Sequence, residues 1–320
     1  MSARAWAFFA AISVLWGMPY LFIKVAVDDG VSPAFLSWAR IVLAAALLLT
    51  LAWRAGTLGG LRGRWRWIAP FAVIEIALPF PLIAAGEQHV ASSLAAILIA
   101  AVPLFVAILA VRFDPEERVT GRRLVGLFVG LAGVVALVGI DVAGSTDELL
   151  GALAILLAAL GYAAGPMILK RRLAAIDTRA TMGASLAIAA LVLTPPALAT
   201  WPAATPSGDA LASIVVLGLF STAAAFVLWG LLVAAAGPGR AAVITYVAPV
   251  VAISLGVLIL DERVGAGAAA GLVLILAGSW LATRPAGSTG SSPPRGRSRR
   301  PPGGSPEPTR GSPTRFPGPA

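Results

Sequence analysis

Few residues in this chain could do chemistry, and most of those stand inside long apolar runs. Glu75 interrupts FAVIEIALPFPL about nine residues into its run, roughly 13 Å along a helix. A carboxylate at that depth in hydrocarbon is costly and by default faces a bundle interior or a water-filled cavity. Burial disfavours its charged form, which suits it to take up and release a proton. The plainer reading is a static partner for another polar group. Arg40, in LSWARIVLAAA, lies about 10 Å below the opposite end of its own run. Its long side chain can reach towards Glu75 as an ion pair or turn outward as an interfacial anchor.

Four aromatics with polar tips, Trp16, Tyr20, Trp229 and Tyr246, also fall within runs. They suit stacking or cation–π contact with an amphipathic or cationic compound, and equally suit plain packing. Pro19, Pro79, Pro103, Pro166 and Pro249 are candidate helix breaks or hinges. Proline within a span frees backbone carbonyls and bends the helix, and such breaks border binding sites in many transporters. Gly126/Gly130 and Gly161/Gly165 have the spacing of close helix packing. His89 is the one histidine, placed beside Glu87 and Gln88 in an expected loop, and a single histidine makes no zinc site. With no cysteine and no phosphate-cradling glycine loop, neither a metal, nor a cofactor, nor ATP hydrolysis by this chain is expected.

One motif occurs twice. EERVTGRRLVGLFVGLAG, from residue 116, is echoed by DERVGAGAAAGLVLILAG, from residue 261, so that Glu117-Arg118-Val119 matches Glu262-Arg263-Val264. Either a catalytic element is used twice or a structural joint is needed twice.

The elements that must carry these residues follow from composition. The chain has 320 residues, 58% apolar and 12% charged, with mean hydropathy +0.89. A soluble domain is about 25% charged, and this one has too little polar surface to cover a water-exposed globule. Apolar runs long enough to cross a bilayer recur from end to end. Divided at charged and Gly/Pro-rich breaks, they predict spans over 5–27, 33–52, 67–86, 91–111, 123–140, 149–169, 179–199, 211–231, 241–260 and 267–283. The first run is too long for a signal peptide and no cleavage site follows it.

Charge orients the spans. Arg54, Arg62, Arg64, Arg66, Arg112, Arg118, Arg122, Arg123, Lys170, Arg171, Arg172, Arg179 and Arg240 fall in the even loops, and Arg4 and Arg284 flank the termini on the same side. The odd loops hold Asp28, Asp29, Glu87, Asp141, Asp147, Glu148, Asp209, Asp261 and Glu262, with Arg263 as their clear basic residue and Lys24 on the border. Basic loops stay inside, so both termini are expected in the cytoplasm. The net charge of +9 is no nucleic-acid signal, because the tail 285–320 supplies six arginines against one glutamate. That tail has ten prolines and cannot bury a core. It is expected to be disordered, with arginines able to touch anionic lipid headgroups or simply solvated.

The repeat is wider than its motif. Shifting by 146 residues carries Lys24 onto Lys170, Trp16 onto Tyr162 and Pro103 onto Pro249, with a one-residue slip beside Asp114-Pro115. Each half holds five spans, an odd number, so the second half enters the membrane upside down. The charges agree: Arg62, Arg64 and Arg66 fall on Gly208, Ala210 and Ala212, while Val25 and Ala26 fall on Arg171 and Arg172. The expected fold is an all-α polytopic membrane protein of ten transmembrane helices, built as two inverted five-helix repeats over 1–140 and 149–284. The two Glu-Arg-Val copies then lie on opposite membrane faces and cannot form one catalytic centre. They are joints in which opposite charges can pair.

SLAAILIAAVPLFVAILA followed by EERVTGRRLVGLFVGLAGVV, its echo AAVITYVAPVVAISLGVLILDERVGAGAAAGLVLILAG, STAAAFVLW at 221–229 and the Trp16-Gly17 pair resemble EamA-type carriers of the drug/metabolite transporter superfamily. The resemblance spans residues 5–283. It implies a carrier of amino acids, other metabolites or toxic compounds, often outward, in the cell membrane. The expected partners are a small-molecule substrate and the lipid bilayer, and the sequence is compatible with proton coupling and with a homodimer. A membrane-embedded enzyme acting on a lipid is the alternative. It lacks a second intramembrane acid, a histidine or a cysteine to complete an acid–base constellation. A receptor has no need of pseudosymmetry across the membrane plane.

Overall fold

The computed structural model describes residues 1–113, 121–142, 145–237, 241 and 243–283, including all their side chains but those of 111–113, 123, 141–142 and 283. The first Glu-Arg-Val copy at 117–119, the turn Asp114-Pro115, the tail 285–320, Arg240 and Arg284 lie outside the described residues. So do the side chains of Arg112, Arg123 and Asp141.

Every regular element among the described residues is helical. Proline decides where the first-half spans are interrupted. Helices α1 (Ala3–Gly17) and α2 (Pro19–Asp28) form one rod with a joint at Met18, where Pro19 takes the first helical position and its missing N–H matters least. After α3 (Pro33–Arg54) comes α4 (Trp65–Ala72), then a wide π-helical turn over Val73–Ala77, then α5 (Pro79–Glu87). Pro79 has no N–H for the Glu75 carbonyl, and the chain widens so that Leu78 N donates to Val73 O at 2.9 Å. A break at Ala100–Ala101 separates α6 (Ser92–Ile99) from α7 (Val102–Phe113), with Pro103 in the first turn of α7. The half closes with α8 (Arg122–Leu137).

The second half holds α9 (Thr146–Ile168), α10 (Thr178–Ala199), α11 (Gly208–Val215), α12 (Ala225–Ala236), α13 (Ile244–Ile259) and α14 (Ala266–Thr283). A π-helical stretch, Val216–Ala224, joins α11 to α12. It covers the residues that the 146 shift makes equivalent to Val73–Ala77, although no proline stands there. A side chain helps hold it wide instead: Thr222 Oγ1 donates to Leu217 O, five residues back, at 2.8 Å. Pro166 lies inside α9 just before another π turn, Leu169–Leu173. Pro249 lies inside an unbroken α13, so the repeat-related prolines Pro103 and Pro249 do not break their spans alike.

Among the described residues, seven helical stretches are long and apolar enough to cross a membrane, and three shorter apolar helices accompany them: Leu124–Ile140, Ile244–Ile259 and Ala266–Ala282. Helices that the repeat makes equivalent pack on each other. Ser32, Trp38 and Leu49 of the second span meet Thr200, Thr194 and Gly183 of the seventh, so α3 and its Ser32 cap run antiparallel to α10. Gly126, Gly133 and Leu137 of α8 likewise meet Leu281, Leu274 and Gly271 of α14. Both crossings relate mates head to tail, as a two-fold axis perpendicular to the helices requires. Glycine permits the second approach: a Cβ on Gly126 would stand 2.7 Å from Gly278 O.

Candidate translocation site

The crossing elements bring a sparse set of polar side chains into the apolar interior. Arg40 on α3 is 6% exposed. Its Nη2 donates to Thr222 Oγ1 at 3.1 Å, its guanidinium carbon lies 4.4 Å from the Phe80 ring centroid, and its Nε is buried without a partner. The expected choice between pairing with Glu75 and snorkelling outward is therefore corrected on both sides. A hydroxyl from the second half's π stretch and a ring from α5 hold the cation in place. Burial is tolerable because the charge gains a hydrogen bond and an aromatic face.

Glu75 sits on the π turn of the third span. Its Oε2 is buried and has no hydrogen-bond partner, and its side chain fills the space that Gly165 leaves, since a Cβ on Gly165 would collide with it. One turn away along α9, Gly161 lets the Ile74 carbonyl approach to 2.6 Å from where a Cβ would stand. This glycine pair therefore serves to seat the π turn. Tyr162, on the same helix, lies within electrostatic range of both Glu75 and Arg40, two groups that do not touch. The one sequence signal for it is the repeat, which makes Tyr162 the equivalent of Trp16.

Glu87 corrects the expectation of a loop. It is the last residue of α5 and fully buried, and neither carboxylate oxygen has a hydrogen-bond partner. Lys24 donates to its backbone carbonyl at 2.9 Å and pairs with Asp28 at 3.0 Å. Lys24, Glu262, Arg40 and Asp28 are charged groups within electrostatic range of the Glu87 carboxyl, and Tyr20 lies within range of Glu87 and Arg40. The string GEQH hides this residue, because four small or polar residues at a span end read as a turn. Its neighbour His89 is exposed, as a loop histidine should be.

The aromatics divide. Trp16 and Trp229 meet across the two halves, 5.1 Å between ring centroids at 38°, with Phe226 edge-on to Trp16 at 6.4 Å. Tyr20 packs against two apolar clusters of the interior, and Tyr246 is half-buried on α13. The chain thus presents paired tryptophans and two buried carboxylates on spans whose helices are interrupted, and a buried cation on the unbroken α3.

The second Glu-Arg-Val copy also departs from expectation. Glu262 forms no ion pair with Arg263. It reaches across to the first half, where its two carboxylate oxygens accept from Ser92 N at 2.7 Å and Ser93 N at 2.9 Å, capping α6. Partial burial pushes its carboxyl up, but the hydrogen bonds from Ser93 and Ser92 outweigh that and hold it below the ordinary glutamate value.

With this arrangement in view, the comparison with known proteins is decisive for family. The profile of the EamA-like transporter family matches residues 4–139 and again 149–284. The chain belongs to the EamA-like transporter family. It is 30% identical over 290 residues to a probable terminal-alkyne amino-acid exporter of Streptantibioticus cattleyicolor, covering 89% of this chain and 94% of that one. It is 26% identical over 283 residues to a probable amino-acid metabolite efflux pump of Escherichia coli, covering 84% and 91%. A crystal structure of a protein 24% identical superposes with a TM-score of 0.63 over 88% of this chain and 98% of the other, a likeness of fold. The protein is a multi-pass membrane transporter of this family, with its family domain present twice.

Proposed function

We propose that this transporter is a secondary carrier that exports a small amino-acid-like or amphipathic compound by alternating access, driven by proton exchange at Glu75. Ten spans in two inverted repeats, with both termini in the cytoplasm, would carry the cycle. The reading rests above all on the antiparallel crossing of equivalent helices, α3 on α10 and α8 on α14. Two halves related in that way can exchange conformations and so expose one central site to either side in turn. Export and an amino-acid-like cargo are supported by the names of the two relatives. The proton role is supported by the unpartnered Oε2 of Glu75, whose supporting helix turn is already widened. Arg40, Tyr20, Trp16 and Trp229 are the proposed cargo contacts, with Tyr246 on their periphery. Pro19, Pro79, Pro103, Pro166 and Pro249 are the proposed points of bending.

Reconstitution into vesicles tests this. Amino acids and amphipathic cations should move faster with an imposed pH gradient than without one. Glu75→Gln should remove the gradient's effect while leaving the protein monodisperse. Undiminished pH-driven flux in that variant would remove Glu75 as the coupling residue, and absence of flux for every compound would remove the carrier reading.

A further inference from the structure

The Glu262 contact joins the end of the ninth span to the start of the fourth, two elements from opposite halves, on the membrane face that the charge pattern makes external. We propose that it is the latch of the outer gate, closed in this structure and released when the carrier opens outward. This deepens the alternating-access reading and rests on it.

Three features suit the contact to open and close. Its hydrogen bonds come from one side chain to two backbone N–H groups, so the polar part of the contact breaks when that single carboxylate leaves. It is aimed by an unusual turn: Asp261 takes φ 53°, a conformation that L residues other than Asn, Asp and Gly rarely adopt, while Glu262 N donates to Gly256 O at 3.1 Å. And it closes over a place kept free of side chain, because a Cβ on Gly256 would stand 2.5 Å from Glu262 Oε2 and 3.0 Å from Ser92 Oγ. The α6 N-terminus receives the carboxylate favourably, with its helix dipole and its uncapped amides.

A joint needed by the fold alone would be needed in both copies. The donor pair is not repeated: the 146 shift carries Ser92 and Ser93 onto Pro238 and Gly239, and proline has no N–H to give. The two-donor seat therefore belongs to the outer side. Glu87, Lys24 and Asp28 stand near it on the first half, so breaking the latch would also admit water towards the buried Glu87 carboxylate.

The chain has no cysteine, so one introduced thiol reports cleanly. Ser92 is fully buried. In Ser92→Cys, a membrane-impermeant thiol reagent applied from outside should react slowly. Adding Glu262→Ala should speed that reaction at least tenfold, with Glu262→Gln in between, while a thiol at exposed Gln88 should react equally fast with or without Glu262. An unchanged rate at position 92 in a monodisperse protein would overturn the latch. In a second arm, Ser92→Cys and Glu262→Cys joined by a short bis-thiol crosslinker should lose vesicle flux that the unlinked pair retains. Full flux from the linked protein would make the contact a permanent fastening and overturn the proposal. Faster labelling together with no flux for any cargo would leave the latch standing and remove the carrier cycle instead.

Discussion

At the scale of single residues, the polar side chains of the interior differ in what holds them: Arg40 has a hydroxyl and a ring, whereas Glu75 and Glu87 keep buried carboxylate oxygens without a hydrogen-bond partner. Among the described residues Arg40 depends on Thr222 for its guanidinium hydrogen bond and on Phe80 for an aromatic face. Thr222→Val keeps the shape and removes the acceptor, leaving a buried cation with one donor more unsatisfied. Such a loss costs about 1–3 kcal/mol, so thermal unfolding in detergent should shift down, and Thr222→Ser should restore it. An unchanged midpoint in the valine variant would mean that the ring alone holds Arg40. Glu75 and Arg40 were both legible in the sequence, because a charge in an apolar run stands out. Their relation was not, since the partner that each would find depends on which helices cross. Glu87 and Thr222 were missed for the opposite reason: one resembles a turn residue and the other a common span hydroxyl.

At the scale of elements, the wide turns and the glycine crossings divide the labour. The π turns at Val73–Ala77 and Val216–Ala224 interrupt equivalent spans and carry Glu75 in one half and Thr222 in the other. The α8–α14 crossing is tight along its length. A Cβ on Gly278 would stand 2.5 Å from Gly130 Cα and 2.6 Å from Gly126 O, where backbone cannot give way. Gly278→Val should therefore force the two helices apart and lower stability by about 1–3 kcal/mol or more, as overpacking does. Gly139→Ala meets nothing within 4 Å and should be neutral. Equal midpoints for the two variants would show that this crossing is loose in the membrane. The glycine spacing was visible beforehand. Which helix each glycine admits was not, because the same spacing serves Gly161 and Gly165 for a wholly different purpose, the seating of the π turn.

At the scale of the whole molecule, the antiparallel mates and the one-sided arginines lead to the same arrangement. The halves are fastened near one end of the bundle by Ser32 to Thr200 and Asp29 to Ser207, and near the other by Arg64 to the Arg172 carbonyl with Arg172 stacked on Trp67. Thiols placed at exposed Gln88 and Gly59 should separate the two faces. In intact cells an impermeant reagent should label Gln88→Cys, and it should reach Gly59→Cys only after permeabilisation. The reverse pattern would invert the orientation and turn the outer latch into an inner one.

By itself the sequence determined the class of protein, the repeat and the family, because these rest on periodic and summed properties: apolar length, the sign of loop charge, and spaced residues that recur. It also singled out Glu75, Arg40 and the prolines, each a local exception in an apolar background. Only the tertiary structure decided what those exceptions touch. Arg40 meets a hydroxyl 182 positions away, and Glu262 a helix end 170 positions away. Such pairings depend on the crossing of whole helices, which local spacing does not encode. The Glu-Arg-Val copies illustrate the difference. Their spacing located the pseudosymmetry, yet the use of Glu262 turned on which helix terminus the folded chain laid in front of it.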